Sequence, residues 1–286
     1  MSSLAITGAS GFIGQVVAAH LAAQFHRVIA LSRRPLPGLE TLPWHLGDPL
    51  PDACPPLDAV IHLASAALVA RDDMDAAVDA DITGTAILTT SIRQRRASGA
   101  PTRLIFLSSQ SAHPAARNAY GRSKYAIEQA LGQDHEIIVR PGLVYDEAGG
   151  SVFGLFAKLA RLPALPVLAG PAAIQPLHVL ELAETLRRLV DLPAPAKLYS
   201  LGAITPLSFA DAVQATARRL GRRAPLGVPV PAALVRWAAG MVDRLLRPMP
   251  PLLERIDGLL ALQPMDTAPS LQALRITLAP FAPKHG

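Results

Sequence analysis

The sequence predicts a doubly wound, mainly parallel α/β sheet carrying a small, mostly helical C-terminal lobe. Short, nearly continuous apolar runs alternate with amphipathic segments through the first half, as buried parallel strands and their covering helices do. Gly8, Gly11 and Gly14 stand in G-x-x-G-x-x-G spacing where the first apolar run gives way to the first amphipathic segment. Beyond Tyr145, proline and glycine break the pattern into short pieces, as expected of a segment that leaves the main sheet.

The elements follow in order. Leu4-Ala5-Ile6 reads as a strand, and Ile13, Val17, Leu21 and Phe25 recur on one face of a helix behind the glycines. At such a junction the helix N-terminus offers unpaired N–H groups and a partial positive charge, a seat for phosphate. Arg27–Leu31 is a second strand ending in Ser32-Arg33-Arg34, and strands are expected near Trp44–Leu46 and at Ala59–Leu63. A helical pattern runs from Asp75 to Arg93. The buried strand Arg103–Leu107 leads into Ser108-Ser109-Gln110-Ser111, a helix spans about Ala119–Leu131, and Glu136–Arg140 is a further strand. Gly149-Gly150, Pro163, Pro166, Gly170, Pro171 and Pro176 then punctuate short apolar pieces. Glu181–Val190 reads as a helix and Lys197–Leu201 as a strand returning to the sheet, with a mostly helical, Pro-jointed remainder from Ser208. The expected division is residues 1–145 plus about 175–203 in a dinucleotide-binding domain, and about 146–174 plus 204–286 in a substrate lobe.

Composition narrows the function. Of 286 residues, 50% are apolar and 17% charged, enough for a large core and too apolar for disorder. The net charge of +5 comes from scattered arginines without a basic run or interleaved aromatics, which argues against a nucleic-acid partner. Cys54 is the only cysteine, so neither an internal disulfide nor a thiolate metal cluster can form, and the histidines show no ligand spacing; no metal site is expected. No apolar run is long enough to span a bilayer, and the N-terminus lacks a signal-like segment, so a cytoplasmic location is expected.

Tyr120 and Lys124 lie four apart on a helix, hence on one face. With four tyrosines and four lysines in the chain, chance would supply roughly 0.06 such pairs. A phenol is a poor acid–base group near neutrality, and a neighbouring ammonium favours its ionised form, so Lys124 is expected to lower the Tyr120 pKa. Ser109, just beyond a strand end, is placed to hold a substrate oxygen, with Ser108 and Ser111 as second choices. The plain alternative is an exposed Tyr/Lys pair on a helix surface.

Joined to the glycine turn, these residues resemble the short-chain dehydrogenase/reductase superfamily, in its extended and atypical, epimerase/dehydratase-like branches. The resemblance covers most of the chain. It implies Tyr120 as general acid/base, Ser109 orienting the reacting oxygen, and Lys124 binding the nicotinamide ribose and tuning the tyrosine. It also implies a cofactor site built from Thr7, Gly8, Ser10, Gly11, Phe12, Ile13 and Gly14. Asp48 of Gly47-Asp48 would contact adenine. Leu63, Ala64 and Ser65, together with Leu107 and Ser108, would line the cofactor. Arg140, Pro141 and Val144 match the Arg-Pro-x-x-x-Tyr run beside the nicotinamide, and Leu177-His178-Val179 matches the strand returning from the substrate lobe. The chain departs from the family at Asp81, where many members carry asparagine, and at Leu180-Glu181.

Charge selects the cofactor's form. A carboxylate at the end of the second strand would repel a 2′-phosphate; Ser32, Arg33 and Arg34 stand there instead, and guanidinium groups suit phosphate. NADP(H) is favoured and NAD(H) allowed. The expected function is an NADP(H)-dependent oxidoreductase acting on a small molecule at a secondary alcohol or ketone carbon, with a sugar-nucleotide epimerase or reductase included. A non-catalytic NADP(H)-binding sensor or assembly protein is the alternative, and a membrane-associated reductase of a lipid-like substrate is a third reading. A homodimer is allowed. The apolar stripe Leu234, Ala238, Met241, Val242 and Leu245, with Arg236, Arg244 and Arg247 beside it, is expected to cover the substrate lobe.

Overall fold

The computed structural model describes residues 3–25, 27–67, 73–146, 152–168, 173–246 and 252–281. Gly149, Gly150, Gly170, Pro171 and Arg247 of the sequence reading lie outside them.

The first lobe alternates strand and helix as expected: β1 (Ser3–Thr7), α1 (Phe12–Ala22), β2 (Arg27–Ser32), β3 (Glu40–Pro43), β4 (Ala59–His62), α2 (Met74–Ala97), β5 (Arg103–Leu107), α3 (Ala119–Ala130) and β6 (Glu136–Pro141). There follow β7 (Leu143–Tyr145), α4 (Val152–Leu159), β8 (Ala164–Leu168), β9 (Pro176–His178), α5 (Val179–Asp191) and β10 (Leu198–Leu201). The remainder is α6 (Phe209–Arg219), β11 (Leu226–Val230), α7 (Ala232–Leu246), α8 (Leu252–Leu260) and α9 (Ala268–Ala273).

Seven strands form one parallel sheet in the order β10-β6-β5-β4-β1-β2-β3. The chain winds outward from β1 to β3, returns to β4 beside β1, and winds the other way. The direction reverses between β1 and β4, and ligands of doubly wound sheets bind in the crevice outside such a switch point. Alternating side chains of each strand enter two cores. Leu4, Ile6 and Ile105 meet Val17, Leu21, Leu182 and Leu186 of α1 and α5. Ala5, Val60 and Phe106 meet Leu88, Ile92 and Ile127 of α2 and α3.

Two boundaries differ from the sequence reading. The third strand is Glu40–Pro43, just ahead of Trp44, because the edge position next to β2 accepts a polar, half-exposed tetrapeptide. Trp44 itself turns into the core. The C-terminal segment returns to the first lobe: Leu271 and Leu274 belong to the α1/α5 core, and Ser270 Oγ accepts the Ser200 N–H at 3.0 Å. Residues near 270 therefore pack with the sheet and not with the substrate lobe to which 204–286 were assigned. The second lobe has its own small core, where Phe156 and Leu165 meet Ala212, Val213 and Ala217. This lobe holds the short parallel pair β8 with β11, and a second pair, β7 with β9, lies against the main-sheet core through Val144 and Leu177; the Pro-rich sequence announces neither.

Candidate active site

The glycine turn closes over the switch point. Gly8 has φ +69°, a left-handed conformation that favours glycine, and a Cβ there would lie 2.8 Å from the Ala64 backbone nitrogen. The Gly11 N–H donates to the Gly8 carbonyl at 3.0 Å. A Cβ on Gly14 would run into that same carbonyl, so this glycine lets α1 sit directly on the turn. Side chains cap α2, α3, α5 and α6, whereas α1 begins at Gly11 with no capping side chain and no acidic residue in its first turn. Its opening N–H groups stay available beside exposed Ser10 and half-buried Phe12 and Ile13. That cradle fits a pyrophosphate.

Behind the turn, Thr7 acts as a fastener. Its hydroxyl oxygen accepts from Leu63 N–H (3.1 Å) and Ala64 N–H (3.2 Å), so its hydrogen goes to His62 Nδ1 at 2.7 Å. His62 Nε2 then carries the proton and donates to Thr85 Oγ1 at 3.0 Å. Stacked against Phe106 and fully buried near Lys124, the imidazole is held neutral, its pKa pushed down to about 3 by burial first and the ammonium second.

Arg33 and Arg34 stand exposed beyond β2, and no carboxylate among the described residues pairs with either; Ser32 Oγ accepts the Arg34 N–H at 3.5 Å. Asp48 closes its own turn, Oδ2 accepting the His45 N–H at 2.7 Å, with its side chain half exposed. Pro141 ends β6 and Val144 lies in β7 just beyond Gly142, Leu107 is buried at the end of β5, and the Ser108 hydroxyl next to it is buried without a partner.

The catalytic candidates converge beside this crevice. Asn118 caps α3, accepting the Gly121 N–H, and Glu254 of α8 accepts the Ala119 N–H at 3.0 Å, so the second lobe braces the helix carrying Tyr120 and Lys124. Ser109 lies close enough to the Tyr120 hydroxyl to favour the ionised phenol, and its Oγ accepts the Ser111 N–H at 3.1 Å. Lys124 is 2% exposed, its Nζ 4.6 Å from the Phe106 ring centre and 5.6 Å from that of Tyr120. Its pKa is lowered to about 8 by burial, against which Asp81 and Glu128 both act to keep it charged. The phenol is pushed above the ordinary tyrosine range, by burial and then by the Asp81 charge, while Ser109 acts the other way. The expected lowering by Lys124 is therefore overturned in the free chain: burial and the Asp81 charge raise the phenol, and the opposing push comes from Ser109.

Asp81 is a centre of this site that the sequence marked only as a departure. Its carboxylate accepts from Ser65 Oγ (2.7 Å), Ala66 N–H and Ser123 Oγ (3.1 Å), which ties the β4–α2 loop and α2 to α3. Ser65, named as a cofactor residue, thus directs its hydroxyl to Asp81. Arg140, expected beside the nicotinamide, directs its guanidinium to Glu128 with Nε–Oε1 at 2.7 Å and a second contact through Nη2, fixing α3 to β6. Glu128 was missed, although Lys124 and Glu128 stand at i, i+4 on one helix face.

Known proteins share this fold. The model of the NAD dependent epimerase/dehydratase family matches residues 4–145. A ceramide reductase of Caulobacter vibrioides is 31% identical over 194 residues, covering 64% of this chain and 59% of that protein. Among solved structures, a human epimerase family protein with NADPH superposes with a TM-score of 0.71 at 20% identity, covering 97% of this chain and 95% of that one. A UDP-N-acetylglucosamine 4-epimerase from Bacillus cereus gives 0.65 at 16% identity, covering 99% and 93%. At these identities the structures speak for the fold alone. Through residues 4–145, the chain belongs to the NAD dependent epimerase/dehydratase family.

Proposed function

We propose that the chain is an NADP(H)-dependent oxidoreductase that interconverts a ketone and a secondary alcohol, working chiefly as a reductase. The observation that carries the reading is Lys124, buried at the carboxyl edge of the sheet with its Nζ 5.6 Å from the Tyr120 ring centre, and Ser109 near the same phenol. Arg33 and Arg34 support a 2′-phosphate, and a human neighbour was solved with NADPH. A bound nicotinamide supplies the hydride that the ketone carbon takes up. Ser109 holds the carbonyl oxygen, and Tyr120 donates its O–H proton to that oxygen, so one hydride and one proton convert ketone to alcohol. The phenol carries its proton at neutral pH and so has one to donate to the carbonyl oxygen. The relative named as a reductase points the same way.

The test is NADPH oxidation against a panel of aliphatic, long-chain and aromatic ketones. Tyr120→Phe is expected to lose at least ~100-fold in turnover while NADPH binding stays within about threefold. Wild-type turnover in that variant would remove Tyr120 from the chemistry. NADPH binding without turnover across the panel would favour the non-catalytic sensor.

A further inference from the structure

α7 buries Ala239 but leaves its larger apolar side chains on the outer face. Arg236 and Asp243 face the protein: Arg236 Nη1 lies 2.8 Å from Asp257 Oδ1 of α8, and the Asp243 carboxylate accepts the Leu252 and Leu253 N–H groups at 2.7 and 2.9 Å. Of the apolar stripe, Leu234 is 53%, Met241 37% and Leu245 74% exposed. Ala238 is exposed as well and Val242 is half-buried. Trp237 beside them is 65% exposed, so that Leu234, Trp237, Met241 and Leu245 look outward. Those positions fall at i, i+3, i+7 and i+11, so they form one continuous ridge. The expectation that this stripe covers the substrate lobe is therefore overturned, because the capping and ion-pair needs of α8 claim the helix's polar face.

The surroundings are apolar and cationic. Leu226 and Val228 of β11, which leads straight into α7, are also exposed. Arg218, Arg222, Arg223 and Arg244 are exposed, and residues 218–247 hold seven arginines against a single carboxylate, the inward-facing Asp243. An isologous contact with a second copy would set these arginines against themselves. A surface of phosphate headgroups over acyl chains matches both features: arginines pair with the headgroups, while an interfacial tryptophan and the leucines enter the acyl boundary. The helix is about 22 Å long, short of a bilayer's apolar core. Among the described residues no helix is long and apolar enough to cross a membrane.

We propose that α7 is an interfacial helix that docks the chain on a bilayer surface containing anionic lipid. The proposal stands apart from the redox chemistry, since none of its residues belongs to the Ser109–Tyr120–Lys124 cluster. The test is co-sedimentation of the full chain with phosphatidylcholine vesicles holding about one quarter phosphatidylglycerol, against phosphatidylcholine alone. The anionic vesicles are expected to bind the chain at least ~10-fold better, and added salt to weaken them. Trp237→Ser combined with Leu245→Ser is expected to cut binding by at least ~10-fold, with NADPH binding retained as evidence of an intact first lobe. A second readout needs no variant. Trp44 is buried in the sheet, so a blue shift of tryptophan emission on vesicle addition reports Trp237 entering the interface. No vesicle binding and no emission shift would overturn the proposal. So would a wild-type dimer in light scattering that the double variant turns into a monomer, which would assign the ridge to a second copy.

Discussion

Asp81 Oδ2 lies 3.1 Å from Ser123 Oγ, a buried carboxylate on α2 bonded to a buried hydroxyl one residue before Lys124 on α3. The contact sets a negative charge beside the lysine and the phenol together; that charge adds to burial in raising the phenol and partly offsets burial in lowering the lysine. An asparagine would keep much of the shape and remove the charge.

Asp81→Asn is therefore expected to move the alkaline limb of the reductive pH–rate profile downward. Lys124 loses its proton near pH 8 in the wild type, where Asp81 and Glu128 oppose burial; without Asp81, burial wins at a lower pH. Reduction at pH 8 should fall by about tenfold while the rate near pH 6 changes little. A profile that drops uniformly at every pH would make Asp81 a packing residue only.

His62 ties acid stability to one buried ring. Its pKa is about 3 in the folded chain against an ordinary value of 6.5, so the unfolded chain binds the extra proton between those values. The stability is complete above 6.5 and is lost as pH falls toward 3, at up to ~1.4 kcal/mol per pH unit. Between pH 7 and pH 5 this amounts to about 2 kcal/mol. His62→Gln should be less stable at pH 7 and lose about 2 kcal/mol less on going to pH 5, as read by urea denaturation.

Arg33 and Arg34 discriminate the dinucleotides on the proposed reading. Replacing both with alanine should weaken NADPH binding by about 100-fold and leave NADH within about threefold, because each charge-assisted bond to a 2′-phosphate contributes ~1.5–3 kcal/mol. Calorimetric titration with both dinucleotides checks it. Equal losses for the two would place these arginines in the surface turn.

Gly14 and Gly132 make a matched pair. A methyl on Gly14 collides with the Gly8 carbonyl and with the Ala9 backbone, whereas one on Gly132 meets nothing within 4 Å. Gly14→Ala should cost ~2–4 kcal/mol and weaken dinucleotide binding, and Gly132→Ala should stay within ~0.5 kcal/mol.

The sequence by itself determined the sheet, the glycine turn and the Tyr120–Lys124 face. Each is written in local terms: apolar runs of strand length, glycines at fixed offsets, and a four-residue spacing on one helix. It could not show that Thr7, Ser65 and Arg140 spend their polar groups on His62, Asp81 and Glu128, because those partners lie 55, 16 and 12 residues away and meet only once the strands and helices pack. Nor could it give the sign of the Tyr120 shift, which depends on how much water burial removes and on a carboxylate carried by another helix. The outward turn of α7 is the clearest case. Periodicity reveals that a helix has two faces, and only the partner α8, with its charge and its free N–H groups, decided which face looks in.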